Sequence, residues 1–189
     1  MNIFVTDDCP IKSAHNLCDQ HVRSKMQIEG AIMLAHAFTQ EQLDHPSTPR
    51  TSTGRARRRG KGYFNHPCSI WCRETVDNFT WLVDHTLEMF TERMHRWPTS
   101  NEHFTKSFIQ WCKDNTHNII TTKTGLTEYA VAIQPESKCR NVQGFDDMSI
   151  VDQYKQFIIH DKEFATWTKR KTPNWYQEST SMLEPAMFS

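Results

Sequence analysis

Residues 17–36 read LCDQHVRSKMQIEGAIMLAH. Wound at about 100° per residue, the wider stretch from Pro10 to Phe38 forms one long helix with an apolar arc. His21, Lys25, Glu29 and His36 fall within a narrow sector of that arc, together with Cys18 and Ile32. Val22, Met26 and Met33 flank the sector on one side, and Leu17, Ile28 and Ala35 on the other. The wet face lies opposite, with Gln20, Arg23 and Gln27. Burying an ionised group without a partner is costly and is tolerated mainly where chemistry requires it. The polar line therefore reads as one wall of a site.

Working outward, Asn2 to Thr6 is a short apolar stretch, a strand or an extended lead-in, and Asp8 before Pro10 is a helix start. From Thr39 to Gly62 the composition shifts to Pro, Ser, Thr, Gly and Arg, which predicts a long basic loop, mobile when empty. A second long helix is expected from about Ser69 to Arg96, ended by Pro98. Thr99-x-x-Glu102 is a capping box for a third helix carrying Phe104, Phe108, Ile109, Trp111 and Cys112. Between His117 and Gly144 the periodicity disappears. Asp146 and Asp147 open a fourth helix that runs to about Arg170, before Pro173. The expected fold is mainly α: a single compact helical domain over residues 1–189, with long irregular loops and little or no sheet.

Two other helices repeat the anomaly of the first. Asn78 and His85 share a sector with Trp71, Leu82 and Met89, and Asp161 lies in the stripe of Tyr154, Phe157, Ile158 and Ala165. Each has a plain explanation. Asn78 and His85 can be satisfied core groups, Lys25 and Glu29 an i, i+4 ion pair worth a few tenths of a kcal/mol, and the arginines a solvated loop. Recurrence on three helices favours convergence on one polar pocket.

Lysine plus arginine balance aspartate plus glutamate at 22 each, so no global field draws the chain to nucleic acid or membrane. The balance is uneven, however: Arg50, Arg55, Arg57, Arg58, Arg59 and Lys61 fall together without an acid, which is where a polyanion would be met. No apolar run approaches the roughly 20 residues of a membrane span, and no signal peptide is recognisable, so a cytoplasmic protein is expected. Six cysteines in such a chain read as free core thiols before disulfides. His66-x-Cys68-x3-Cys72 and Cys18-x2-His21 are too loose for a zinc signature, so neither metal nor cofactor is expected.

Leu17-Cys18-Asp19-Gln20-His21, followed by basic residues and Glu29, resembles the first helix of the pyrimidine-dimer DNA glycosylases of the endonuclease V type found in phages. The basic connection before His66-Pro67 and the closing Pro173-Asn174-Trp175-Tyr176 are similar to features of that family. The chain also resembles small uncharacterised proteins of tailed phages through Asn65-His66-Pro67-Cys68, Gly125-Leu126-Thr127 and Asp161-Lys162. The resemblance implies attack on a sugar by an N-terminal amine, with a glutamate serving the imine intermediate. Two features depart from the pattern. Asn2 is bulkier than residues from which methionine is ordinarily removed, and Glu29 stands one residue further from His21 than the family spacing.

The expected function is that of a phage-type enzyme acting on DNA or a nucleotide by base excision or base modification. Glu29 would be the acid/base group, and Lys25 its partner or, if desolvated, an amine nucleophile. His21 and His85 would move protons, while Asn78, Asp161 and His66 would orient substrate or water. Arg55, Arg57, Arg58, Arg59 and Lys61 would hold phosphates. Trp71, Trp81 and Trp175 would stack on an extruded base. The alternatives are a group transferase acting on a hypermodified base or nucleotide, and a non-catalytic nucleic-acid or protein-binding module.

Overall fold

A computed structural model describes residues 2–23, 25–162 and 164–183, the side chains of 182 and 183 excepted. In chain order its helices are α1 (Pro10–Asn16), α2 (Asp19–Val22), α3 (Lys25–Ala35), α4 (Gln40–Asp44), α5 (Pro67–Cys72), α6 (Val76–Arg96), α7 (Lys106–Asp114), α8 (Ile150–Asp161) and α9 (Asn174–Leu183). There is no strand among the described residues, and Asn2–Thr6 runs without a sheet partner. The mainly α architecture is thus as the periodicity implies. Helix α6 is the axis on which α1, α2, α3, α5 and α7 pack, and one apolar cluster runs from Ile3 to Trp167. Helix α3 crosses α6 closely because Gly30 has no side chain: a Cβ there would stand 2.7 Å from the Thr86 hydroxyl.

The long helices expected from periodicity are interrupted where side chains offer the backbone better partners. The first breaks at Leu17 and Cys18, both extended, because the next residue is drawn into a tertiary contact. Asp19 receives the backbone N–H of Thr168 and the hydroxyls of Thr166 and Thr168, and its own N–H donates to the Thr166 carbonyl. The second divides at Arg73–Thr75, where Thr75 caps α6 by accepting from the Asn78 N–H. The box at Thr99 is not used. Glu102 pairs instead with Lys106, the His103 ring accepts from the Thr105 N–H, and α7 starts at Lys106. Ser149 rather than Asp146 or Asp147 caps the last predicted helix, which ends at Asp161, nine residues before Arg170. Beyond it, Thr166 and Thr168 are held against Asp19 and the chain turns at Trp167–Arg170.

The basic loop is anchored, contrary to its expected mobility. It contains α4, with a complete Thr39–Gln42 capping box, and Gln40 clamps its far side by donating to the Arg57 carbonyl and accepting from the Arg59 N–H. The aperiodic segment after residue 117 is likewise held by side chains. Asn78 both donates to and accepts from Thr127, the Tyr154 hydroxyl bridges Ala130 and Ala132, and Asn2 donates to the Ala132 carbonyl. Such clamps leave no periodicity to read.

Helix α6 also carries a buried ion cluster. Arg96, 1% exposed, binds Asp19 at 3.0 Å and Glu92 at 3.0 Å, and Glu92 is also gripped by Arg170. Burial alone would push the Glu92 carboxyl up, but Arg170 and Arg96 more than offset this and hold it below the usual carboxylate range. The cluster ties the segment around Thr166–Arg170 to the helical core.

Candidate functional site

His21 from α2, and Lys25, Met26 and Glu29 from α3, line a cavity of about 170 Å³ closed by Asn2, Phe4, Gln20 and Lys162. His21, Lys25 and Glu29, spaced at i, i+4, meet on one wall as the wheel requires. The fourth wall comes from the N-terminal stretch. The Asn2 carboxamide accepts from the N–H groups of Ile3 and Phe4, and Phe4 takes a left-handed conformation with φ 52°. That conformation is disfavoured for a bulky residue and persists only where surroundings impose it. Here the ring is stacked on His21, with centroids 4.2 Å apart, and on Phe157. The result places the main-chain nitrogen of Asn2 3.1 Å from Glu29 Oε2, while Lys25 Nζ lies 3.6 Å from Oε1.

Burial first, and then the nearby Lys162 cation, push the His21 imidazole down to about 3, so it is neutral at ordinary pH. Cys18, whose thiol is raised by burial, lies within hydrogen-bond distance of His21 Nδ1, at 3.4 Å. The other ring nitrogen, Nε2, is buried without a hydrogen-bond partner. The cavity wall therefore combines a neutral imidazole with a carboxylate and two ammonium groups. That set can bind a polar substrate atom and exchange a proton at Glu29. It cannot shuttle protons through His21 by full ionisation near neutrality.

Other expected members lie elsewhere. Asp161 borders an adjacent depression that shares Gln20 and Lys162 with the first, and its carboxylate accepts from the N–H groups of Lys138 and Cys139. His85 is sealed in the core, stacked on Trp81 and donating from Nδ1 to the Pro10 carbonyl, so it is not in the pocket. Asn78 spends its amide on Trp71 and Thr127. Trp71 and Trp81 are 3% and 5% exposed and packed around Tyr129, so their faces are not available to a base. Trp175 packs edge-on to Tyr176. His36 is buried against Gly62 and Phe64. His66 caps α5 and stands edge-on to Tyr63; burial lowers its pKa, and Glu29 acts in the opposite sense. Lys25 is 82% exposed, a solvated side chain at the mouth of the pocket.

The basic loop divides into two classes. Arg55, Arg58 and Lys61 are exposed, Arg57 is buried over the Phe108 ring, and Arg59 is half-buried over Phe64. The exposed aromatic side chains near the cations are Tyr63 and Phe164, the latter 91% exposed beside Lys162. Helical periodicity points to neither, since both lie in irregular chain. Periodicity misses Asn2 and Phe4 for the same reason, and Lys162, expected inside the fourth helix, lies just past its end. The signal for Asn2 and Phe4 is an apolar stretch too short to place.

Among the described residues, one group brings three metal-binding side chains within 4.8 Å: His15, Glu88 and Glu92. Glu92 is already paired with two guanidinium groups there, and the cluster is explained as a structural ion network. All six cysteines are free thiols. No helix among the described residues is long and apolar enough to cross a membrane. Compared with protein-family models, curated proteins and solved structures, the chain matches none.

Proposed function

We propose that the chain acts on DNA, excising or modifying a base at the Glu29 pocket. The observation that carries this reading is the approach of the Asn2 nitrogen to the Glu29 carboxylate on the wall of a cavity also lined by the neutral His21 imidazole. In a chain that begins at residue 2, that nitrogen is a primary amine. It would form a bond to C1′ of a nucleotide as the glycosidic bond breaks, the base leaving with the bonding pair and a proton. Glu29 would relay protons as the sugar opens to an imine. The resemblance of Leu17–His21 and Glu29 to the endonuclease V type glycosylases supports the same assignment.

The surroundings suit a nucleic acid. Lys25 and Lys162 flank the cavity, Arg55, Arg58 and Lys61 extend the cationic surface beyond the C-terminal half of α3, and Phe164 and Tyr63 present faces on which bases stack. Group transfer onto a base or nucleotide is the second reading, favoured by a larger cavity of about 670 Å³ beside the basic loop.

Borohydride trapping on DNA containing an abasic site tests the leading assignment. A chain prepared to begin at Asn2 should form a covalent adduct, a chain retaining Met1 should not, and Lys25→Ala should leave the adduct intact. Equal trapping with Met1 retained would move the nucleophile away from Asn2.

A further inference from the structure

The cavity of about 670 Å³ lies between the C-terminal half of α3 and the basic loop. Ile32, Ala35 and Ala56 give it apolar walls, and exposed Arg55, Arg58 and Lys61 give it cationic ones. Arg57 is built into the same lining, 8% exposed, with its guanidinium 4.0 Å above the Phe108 ring. Its Nε and Nη2 are buried without an acceptor, as is Nε of Arg59. Among the described residues these are the only guanidinium nitrogens in that condition, and all belong to this loop.

Arg96 shows how the same fold satisfies an interior guanidinium that is architectural: two carboxylates and the His15 carbonyl surround it. Arg57 has a ring face and a buried thiol, Cys112, as neighbours and, among the described residues, no carboxylate partner. Burial lowers it to about 10, so it remains a cation at neutral pH. A buried charge without a counter-ion is expensive, and an anion entering the adjacent cavity would relieve it. At the cavity edge, Tyr63 is 61% exposed and held with φ 61°, a strained conformation for a tyrosine, edge-on to His66.

We propose that this cavity binds a phosphorylated nucleoside, its phosphate facing Arg57 and the exposed cations and its ring lying between Tyr63 and the Ile32–Ala35 wall. The cations call for the anion, and the apolar walls with a presented tyrosine face call for a planar ring. Choosing a nucleoside as the ring-bearing part rests on the nucleic-acid reading of the Glu29 pocket. A free nucleotide and a nucleotide within a strand carry the same recognition chemistry.

Titrating 15N-labelled full-length protein and following arginine Nε–H resonances tests the proposal. The probes are the four 2′-deoxynucleoside 5′-monophosphates, a short single-stranded oligonucleotide, inorganic phosphate and the unphosphorylated nucleosides. A monophosphate or the oligonucleotide should shift the Arg57 Nε–H signal and bind at least about ten-fold more tightly than phosphate or nucleoside alone, the scale of one charge-assisted hydrogen bond. Comparing the monophosphates with the oligonucleotide distinguishes free nucleotide from strand as the source. Arg57→Met should weaken binding by at least about ten-fold without lowering Tm, and Tyr63→Ala should remove the advantage of nucleotide over phosphate. If Arg57→Met does not fold, the wild-type titration and Tyr63→Ala decide. No shift of Arg57 with any probe, or unchanged affinity in a folded Arg57→Met, overturns the site. Glu29→Gln should bind these probes as wild type does, so loss of imine trapping with binding retained removes only the Glu29 assignment.

Discussion

The carboxylate of Glu29 accepts the main-chain N–H of Asn2 at 3.1 Å, across 27 residues of sequence. The contact joins the middle of α3 to the extended N-terminal segment, which is fixed from the other side by the Asn2 hydrogen bond to Ala132 and by the stacking of Phe4 on His21. A carboxylate positioned in this way can serve chemistry or merely tie down the chain, and substitution separates the two.

Glu29→Gln keeps the shape and hydrogen-bonding capacity and removes the charge and the exchangeable proton. Turnover on DNA should fall roughly a hundred- to ten-thousand-fold, as for loss of an acid/base group, with little change in Tm. Thermal unfolding and turnover measured on one preparation check this. A strongly lowered Tm with turnover per folded molecule preserved would make the Asn2 contact architectural.

DNA affinity should weaken with salt through the exposed cations. Arg57 is not among them, so the informative variant is the triple Arg55→Ala, Arg58→Ala, Lys61→Ala. Removing up to three phosphate contacts should flatten the log–log salt dependence by up to about 2.7 on duplex DNA. An unchanged slope would assign these residues to ordinary solvated chain.

Glu92→Gln should cost on the order of 3 to 5 kcal/mol, because it leaves Arg96 inside the core without its fully buried partner. Denaturant unfolding measures it. Glu92 and Asp19 are both held below the usual carboxylate range, in each case by hydrogen bonds that outweigh the upward push of burial. Below about pH 4 the unfolded chain therefore binds more protons than the folded one. The stability these groups contribute is present above that pH and is lost as pH falls through their folded values, and the loss should be smaller in the variant.

Acid sensitivity should begin at higher pH because of the buried imidazoles. Burial pushes His85 down to about 4, against the opposing effect of its bond to the Pro10 carbonyl. From about pH 6.5 downward the unfolded chain takes up a proton there that the folded chain refuses. Stability should fall through this window until pH reaches about 4. In His85→Gln the decline should be shallower by up to ~1.4 kcal/mol per pH unit, which unfolding titrations at several pH values would detect.

Gly30→Ala should destabilise by about 1 to 3 kcal/mol, although alanine is the better helix former by about 1 kcal/mol. The added methyl group would meet the hydroxyl of Thr86, which is fully buried and fixed by its bond to the Leu82 carbonyl. A Tm equal to or above wild type would mean α3 and α6 can separate at this crossing without loss.

The apolar arcs were enough to set the helical class, because burial of one face at a period of 3.6 is a local property of the chain, while the expected caps at Asp8, Thr99 and Asp146 were not the ones used. The same periodicity brought His21, Lys25 and Glu29 together, since residues four apart share a helix face. It failed for His85, Asn78, Trp71 and Trp81. A helical wheel shows that a residue points inward and not what it meets there, and these side chains found partners in Pro10, Thr127 and Tyr129. Tertiary structure alone decided where Asn2, Phe4 and Lys162 stand, that Arg57 turns inward while Arg55 and Arg58 stay out, and that Asp19, Glu92, Arg96 and Arg170 form one cluster. Each depends on contacts between segments far apart in the chain, whose energies are set by burial and pairing in the folded state and leave no mark in local residue spacing.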